Sequence, residues 1–182
     1  MRVTGGTFKG RTLNTTPGLS TRPTTDKIRQ SIFNILMNDI EETVVLDIFA
    51  GSGALGIEAL SRGAASAIFV ESGHKQVEMI QENLTTLGLK AGVFECDYIA
   101  ACRNLSTDGR KFDMIFADPP YEKITPEKVI DIVLQYDLLE YDGLLIIEHK
   151  AGQEIKADRV EILKKRKFGQ TEVTFYARKQ TE

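Results

Sequence analysis

Four consecutive residues carry the most chemical information in this chain: Asp118-Pro119-Pro120-Tyr121, directly after the apolar run Phe112–Ala117. Two successive prolines remove two backbone donors and stiffen the chain, so the run presents acceptors, namely the Asp118 carboxylate and the Pro119 carbonyl. A rigid pair of acceptors suits a planar amino group whose two N–H bonds point at the two oxygens. Holding the amine this way favours its pyramidalisation and aims the lone pair at an electrophile, while Tyr121 can stack on the base that bears it. A sulfonium methyl is reactive enough, once aligned, that no strong general base is needed.

Three more carboxylates stand where strands should end. Asp47 precedes Ile48-Phe49-Ala50-Gly51-Ser52-Gly53, a turn whose glycines let the backbone bend sharply and approach a ligand. Its charge would repel phosphates but could contact a cationic amino-acid moiety through its amine, and the turn has no lysine, which excludes a P-loop. Glu71 follows Asp47 by 24 residues, near the spacing at which an acidic residue binds both hydroxyls of a ribose. Asp97, in Glu95-Cys96-Asp97-Tyr98, is placed to accept from an adenine amino group. Each alone could be ordinary surface; together, at successive strand ends, they point to a nucleoside cofactor.

The elements that must position these groups are legible in the hydrophobic pattern. Residues 1–22, punctuated by Gly5-Gly6 and Lys9-Gly10, read as a hairpin or extended arm, and Pro23 marks a boundary. Thr24, Thr25 or Asp26 can cap a helix that buries Ile28, Ile32, Phe33, Ile35 and Leu36. The apolar run Thr43–Phe49 reads as a strand buried on both faces. Helix and strand then alternate: helix Ala54–Arg62, strand Ala67–Glu71, helix Lys75–Leu87, strand Gly92–Cys96, then, after Tyr98–Leu105, strand Phe112–Ala117, helix Pro126–Tyr136 and strand Gly143–Glu148. Arg159–Lys165 and Glu172–Ala177 read as closing strands. This order predicts a parallel α/β sheet with helices on both faces and ligands at the C-terminal strand ends.

Composition sets the frame. With 182 residues, 42% hydrophobic and 27% charged, the chain reads as one soluble domain. No apolar run reaches membrane-spanning length and the N-terminus lacks a secretory stretch, so a cytoplasmic protein without a membrane partner is expected. Cys96, Cys102, His74 and His149 show no metal-ligand spacing; no metal is expected, and the cysteines read as reduced thiols. The net charge of −3 hides an asymmetry: residues 1–30 hold six basic side chains against Asp26 alone, a net of +5, which leaves −8 for the remainder. A basic arm on an acidic body suits contact with phosphates. Lys164-Lys165-Arg166-Lys167 is either a second such contact or a solvated turn.

Asp47–Gly56, Glu71, Asp97 and Asp118–Tyr121 together resemble the S-adenosylmethionine-dependent methyltransferases that act on exocyclic amines. Arg2-Val3-Thr4-Gly5-Gly6, Lys9-Gly10-Arg11, Arg22-Pro23-Thr24-Thr25, the helix Lys27–Leu36 and Phe168-Gly169-Gln170-Thr171 with Phe175-Tyr176 extend the resemblance over essentially the whole chain. They are similar to the bacterial family that methylates a guanine exocyclic amine, N(2), in small-subunit (16S) ribosomal RNA. Gln30 departs from the pattern, where a glutamate is more usual.

The resemblance implies a Rossmann-like α/β fold, a seven-stranded mostly parallel sheet whose last hairpin contains an antiparallel strand, with an N-terminal basic arm over residues 1–22 and a methyltransferase domain over 23–182. It implies S-adenosyl-L-methionine held by Asp47, Phe49, Gly51, Ser52, Gly53, Glu71, Asp97 and Tyr98, and a guanosine flipped out of its stack against Asp118, Pro119 and Tyr121. Arg2, Lys9, Arg11, Arg22, Thr24, Lys27 and Arg29 are the expected contacts to ribosomal RNA or an assembling small subunit, and a monomer is expected. Another amine, in DNA adenine or a protein glutamine, is the alternative target, although the chain leaves no room for a dedicated DNA-recognition domain. A nicotinamide-dependent oxidoreductase would need a phosphate-tolerant loop, which Asp47 opposes, and an RNA-binding module without chemistry would not need the acceptor loop.

Overall fold

The computed structural model describes residues 1–15, 23–156 and 158–179. Among them, helices α1 (Pro23–Leu36), α2 (Ala54–Ser61), α3 (His74–Leu87), α4 (Tyr98–Thr107) and α5 (Pro126–Gln135) alternate with strands β1 (Val44–Ile48), β2 (Ser66–Glu71), β3 (Gly92–Glu95), β4 (Phe112–Ala117) and β5 (Leu139–Lys150). The hairpin β6 (Val160–Phe168) and β7 (Thr171–Arg178) closes the chain. The strands form one sheet in the order β3-β2-β1-β4-β5-β7-β6. Strands β1 to β5 pair in parallel, and β7 runs antiparallel to both β5 and β6. The expected mostly parallel seven-stranded sheet with its antiparallel strand in the last hairpin is the observed one.

Buried apolar side chains fill both faces. Val45, Phe116, Ile146, Val173 and Phe175 pack under α1 with Ile28, Ile32, Phe33 and Leu36. Leu46, Ile115, Leu145, Ile147 and Tyr176 pack on the opposite face with residues of α4 and α5. β1 thus shows no polar-out alternation, as a strand covered on both sides should not.

The boundaries differ from expectation in a few places, each for a local reason. α1 begins at Pro23, whose fixed φ suits a first helical turn, rather than at a cap one to three residues later. A 3-10 turn over Met37–Ile40 follows it and buries Ile40. β5 starts at Leu139 instead of Gly143, because Leu139 pairs with Phe112 ahead of an irregularity in the register. The Lys164–Lys167 run is not a turn: it lies within the edge strand β6.

The N-terminal residues are integral to the body. Arg2 and Thr12 pair across an antiparallel hairpin, and Val3 and Leu13 are buried in the α1 face of the core. Arg22 lies outside the described residues, as does the side chain of Thr24. Among the described residues no helix is long and apolar enough to cross a membrane.

Candidate active site

The strand order reverses at β1, which has β2 on one side and β4 on the other, so the crevice beyond their C-terminal ends is where an open α/β sheet binds ligands. Two adjoining cavities occupy it. The larger, about 640 Å³, is lined by Phe49, Glu71, Asp97, Tyr98, Asp118 and Pro119-Pro120-Tyr121, among others. The smaller, about 190 Å³, lies between α1 and the sheet and is lined by Asp47, Phe49, Gly51, Ser52, Asp118 and Glu148, with Met1, Ile28, Arg29 and Ile32 on its helix side. Phe49 and Asp118 border both. All the expected cofactor and catalytic residues therefore converge here except Gly53, which stands behind the loop at the N-terminus of α2.

The loop after β1 has an unusual backbone. Gly53 has φ 76°, a left-handed conformation that costs a glycine little, and a Cβ there would press on Phe69 and Ile80. Phe49 also has a positive φ, 65°, which for a residue with a side chain costs about 1–2 kcal/mol. The result is a phenyl ring set against Tyr98, with centroids 4.8 Å apart, and the two rings form an aromatic wall of the larger cavity. Strain at such a position is commonly retained where it orients a functional group.

The carboxylates are held mostly by backbone amides. Asp47, 2% exposed, accepts from the Gly56 amide (2.9 Å) and so satisfies a first-turn donor of α2. Glu71 accepts from the amides of Gly51 (2.9 Å) and Gly73 (2.8 Å), which fixes both its oxygens at the rim of the larger cavity. Asp97 caps α4 by accepting from the Ile99 amide at 2.8 Å.

Glu148, at the end of β5, was not singled out from the sequence, although a fifth carboxylate at a strand end was the available signal. It accepts from the Tyr121 hydroxyl at 2.7 Å and so fixes the ring beside Asp118. Asp118 keeps solvent access through the open cleft, yet its recessed position, with Glu148 and Asp47 nearby, pushes its pKa well above the usual carboxylate range. Burial also raises Glu148. Three carboxylates thus crowd the junction of the two cavities, and among the described residues no cation is paired with any of them. Such a junction favours a positively charged occupant.

Burial, opposed in part by the Gly56 amide, raises Asp47 from 3.8 to about 7, with the Glu71 charge adding to the rise. The folded state therefore holds a proton that the unfolded chain has lost between these values. The associated stability is complete below pH 4 and declines as pH rises toward 7, by about 1.4 kcal/mol per unit and about 4 kcal/mol in all. Asp47→Asn should stabilise the ligand-free protein at pH 8 by an amount of that order, with the two proteins converging near pH 4. Urea unfolding midpoints across this range measure it; parallel curves for wild type and variant would contradict it.

The expected RNA contacts divide. Arg2, Lys9, Arg11 and Lys27 are exposed. Lys9, however, sits in the hairpin turn against Ser61 at the far end of α2, about 12 Å along the helix from the glycine loop. Arg11 reaches the Thr86 carbonyl at 3.4 Å. Arg29 is a correction: it is 3% exposed, and its guanidinium donates to Glu58, Asp26 and the Arg2 carbonyl. It ties the N-terminal strand to α1 and α2 and does not face outward, because Glu58 supplies a buried counter-charge that the local sequence does not reveal.

Comparison with known proteins bears on the family and the fold. YlbH of Bacillus subtilis is 39% identical over 183 residues, covering 98% of this chain and 100% of that one. Ribosomal RNA small subunit methyltransferase D of Escherichia coli K12 is 36% identical over 148 residues, 81% of this chain and 74% of the relative. Among solved structures, yhhF from Escherichia coli superposes with a TM-score of 0.85 at 31% identity, covering 100% of this chain and 99% of the other. The fold is the Rossmann-like one of S-adenosylmethionine-dependent methyltransferases. The family model described as "Conserved hypothetical protein 95" matches residues 1–177, and the chain belongs to that family, in the company of the small-subunit ribosomal RNA methyltransferases D.

Proposed function

We propose that this chain is a cytoplasmic enzyme that transfers a methyl group from S-adenosyl-L-methionine to the exocyclic N(2) amine of a guanine in small-subunit ribosomal RNA, free or in an assembling subunit. The observation that carries this reading is the meeting of the Asp118–Tyr121 acceptor loop with the carboxylate-lined cavities at one sheet switch point. The names of the relatives support the ribosomal substrate. The motif resemblance and the acceptor geometry support the guanine amine.

The residues present fit the cofactor. Asp47 offers a buried carboxylate to an ammonium in the smaller cavity, and the Phe49–Tyr98 wall gives an adenine a surface to pack on. Glu71 and Asp97 offer acceptors to ribose hydroxyls and an adenine amino group. When bound, S-adenosylmethionine supplies an electrophilic methyl on a sulfonium. Asp118 and the Pro119 carbonyl hold the target amine by its N–H bonds, and Tyr121, tethered to Glu148, supports the base by stacking. The raised pKa of Asp118 also suits it to take the proton that the amine sheds.

A tritiated-methyl transfer assay tests the proposal, with naked small-subunit RNA, assembled small subunits and duplex DNA offered in parallel. Label recovered as N(2)-methylguanosine is expected; label in DNA adenine alone would overturn the substrate. Glu71→Gln should weaken cofactor binding by about 1.5–3 kcal/mol, as for loss of a charge-assisted hydrogen-bond site. Calorimetry reads this directly, and unchanged affinity would remove Glu71 from the ribose site.

A further inference from the structure

Four consecutive cations, Lys164-Lys165-Arg166-Lys167, lie on the edge strand β6, and pairing with β7 divides them between the two faces of the sheet. Lys164 and Arg166 stand opposite Phe175 and Val173, whose side chains belong to the α1 face of the core. Lys165 and Lys167 stand opposite Thr174 and Glu172 and point to the other face, where Lys165 approaches the Glu172 carboxylate at 4.0 Å. The two faces therefore differ in charge balance. On the α1 face the β7 partners are apolar and Arg166 is exposed, whereas on the opposite face Glu172 partly neutralises the run.

Register also fixes how far the first pair lies from the chemistry. Val173 pairs with Glu148 on one side and with Arg166 on the other, so Arg166 stands two strands from Glu148 in the same cross-strand row, about 10 Å away. Lys150, exposed at the end of β5, is on the same face, opposite Thr171, and the Thr171 side chain adjoins the Tyr121 hydroxyl. The hairpin thus opens onto the rim of the cleft where Asp118 sits. On this face Glu148 shares the cross-strand row and is engaged by Tyr121; Glu161 shares the face but lies toward the other end of β6. Lys9, by contrast, is held at the far end of α2.

We propose that Lys150, Lys164 and Arg166 form a phosphate-binding track on the α1 face of the terminal hairpin, which grips the RNA backbone beside the nucleotide presented to Asp118. A base withdrawn from its stack leaves its flanking phosphates close to the cleft mouth, and a row of cations that begins about 10 Å from Glu148, the anchor of Tyr121, is placed to hold them. This assignment rests on the RNA reading above and adds to it which surface carries the backbone.

Two double variants with equal charge change test it: Lys164→Ala/Arg166→Ala and Lys165→Ala/Lys167→Ala. Affinity for naked small-subunit RNA is measured over a range of salt, with cofactor affinity and melting temperature as controls for folding. The first variant should lose at least about tenfold in RNA affinity and reduce the salt slope by about 1.4–1.8, as expected for two lost phosphate contacts, with cofactor affinity unchanged. The second should stay within about twofold of wild type. Equal losses in both variants, or none in the first, would overturn the track. Failure of the wild-type chain itself to bind or methylate RNA would overturn the substrate reading, and the track with it.

Discussion

Asp118→Asn should lower methyl transfer by about 10²–10³-fold while leaving cofactor affinity within about twofold. The magnitude is that of removing one preorganised electrostatic contact to a reacting group. The substitution keeps the shape of the side chain and the Pro-Pro turn beside it, but replaces one acceptor oxygen by an amide that donates. That donor meets the donating N–H bonds of the target amine, so the amine loses its orientation as well as a hydrogen bond. Desolvation raises the pKa of Asp118, and the nearby Glu148 and Asp47 carboxylates raise it further. Neutralising it relieves that repulsion, so the variant should melt no lower than wild type, with a gain that grows as pH rises. Single-turnover methyl transfer, calorimetry with the cofactor and a melting curve together decide the case. A variant that turns over within about tenfold of wild type would remove Asp118 from the chemistry; one that has lost cofactor binding would place it in the cofactor site instead.

The residues that do chemistry at strand ends were readable because strand, turn and helix signals are local. The apolar run into Asp47 and the glycines after it, or Phe112–Ala117 running into Asp118, each encode an element and its end within ten residues. The parallel order then places those ends side by side. Groups whose role depends on a distant partner were not readable. Glu148 looks like any strand-ending acid until Tyr121, 27 residues earlier, is seen to donate to it. Glu58 looks like a solvated helix residue, and Arg29 like one more cation in a basic segment, until the N-terminal hairpin folds back over both. The Lys164–Lys167 run gave no sign of its division between faces, because the pairing register of an edge strand is set by its neighbour.

The Glu58–Arg29 pair carries the second large expectation. Glu58 is 1% exposed and accepts from the Thr4 amide (2.8 Å), the Thr4 hydroxyl (2.6 Å), Arg29 Nε (3.2 Å) and Arg62 Nε (2.9 Å). It therefore joins the N-terminal strand, α1 and α2 at one point. The fit around it is close: at Gly6, whose φ is 72°, a Cβ would lie 1.7 Å from the Ser61 carbonyl oxygen. Glu58→Met should destabilise the protein by about 3–5 kcal/mol, because it removes the buried counter-charge of the Arg29 guanidinium and leaves it only the half-exposed Asp26. For a chain of this length that corresponds to a fall in melting temperature of roughly 6–20 °C. Met1 and Arg29 also line the smaller cavity, so cofactor affinity should fall with the loosened strand. The double variant Glu58→Met/Arg29→Met should recover part of the loss, since removing both charges leaves less buried charge unpaired. Thermal and urea unfolding of the single and double variants measure the coupling. A single variant that loses less than about 1 kcal/mol, or a double that loses the sum of both singles, would show that the buried pair contributes nothing to anchoring the hairpin.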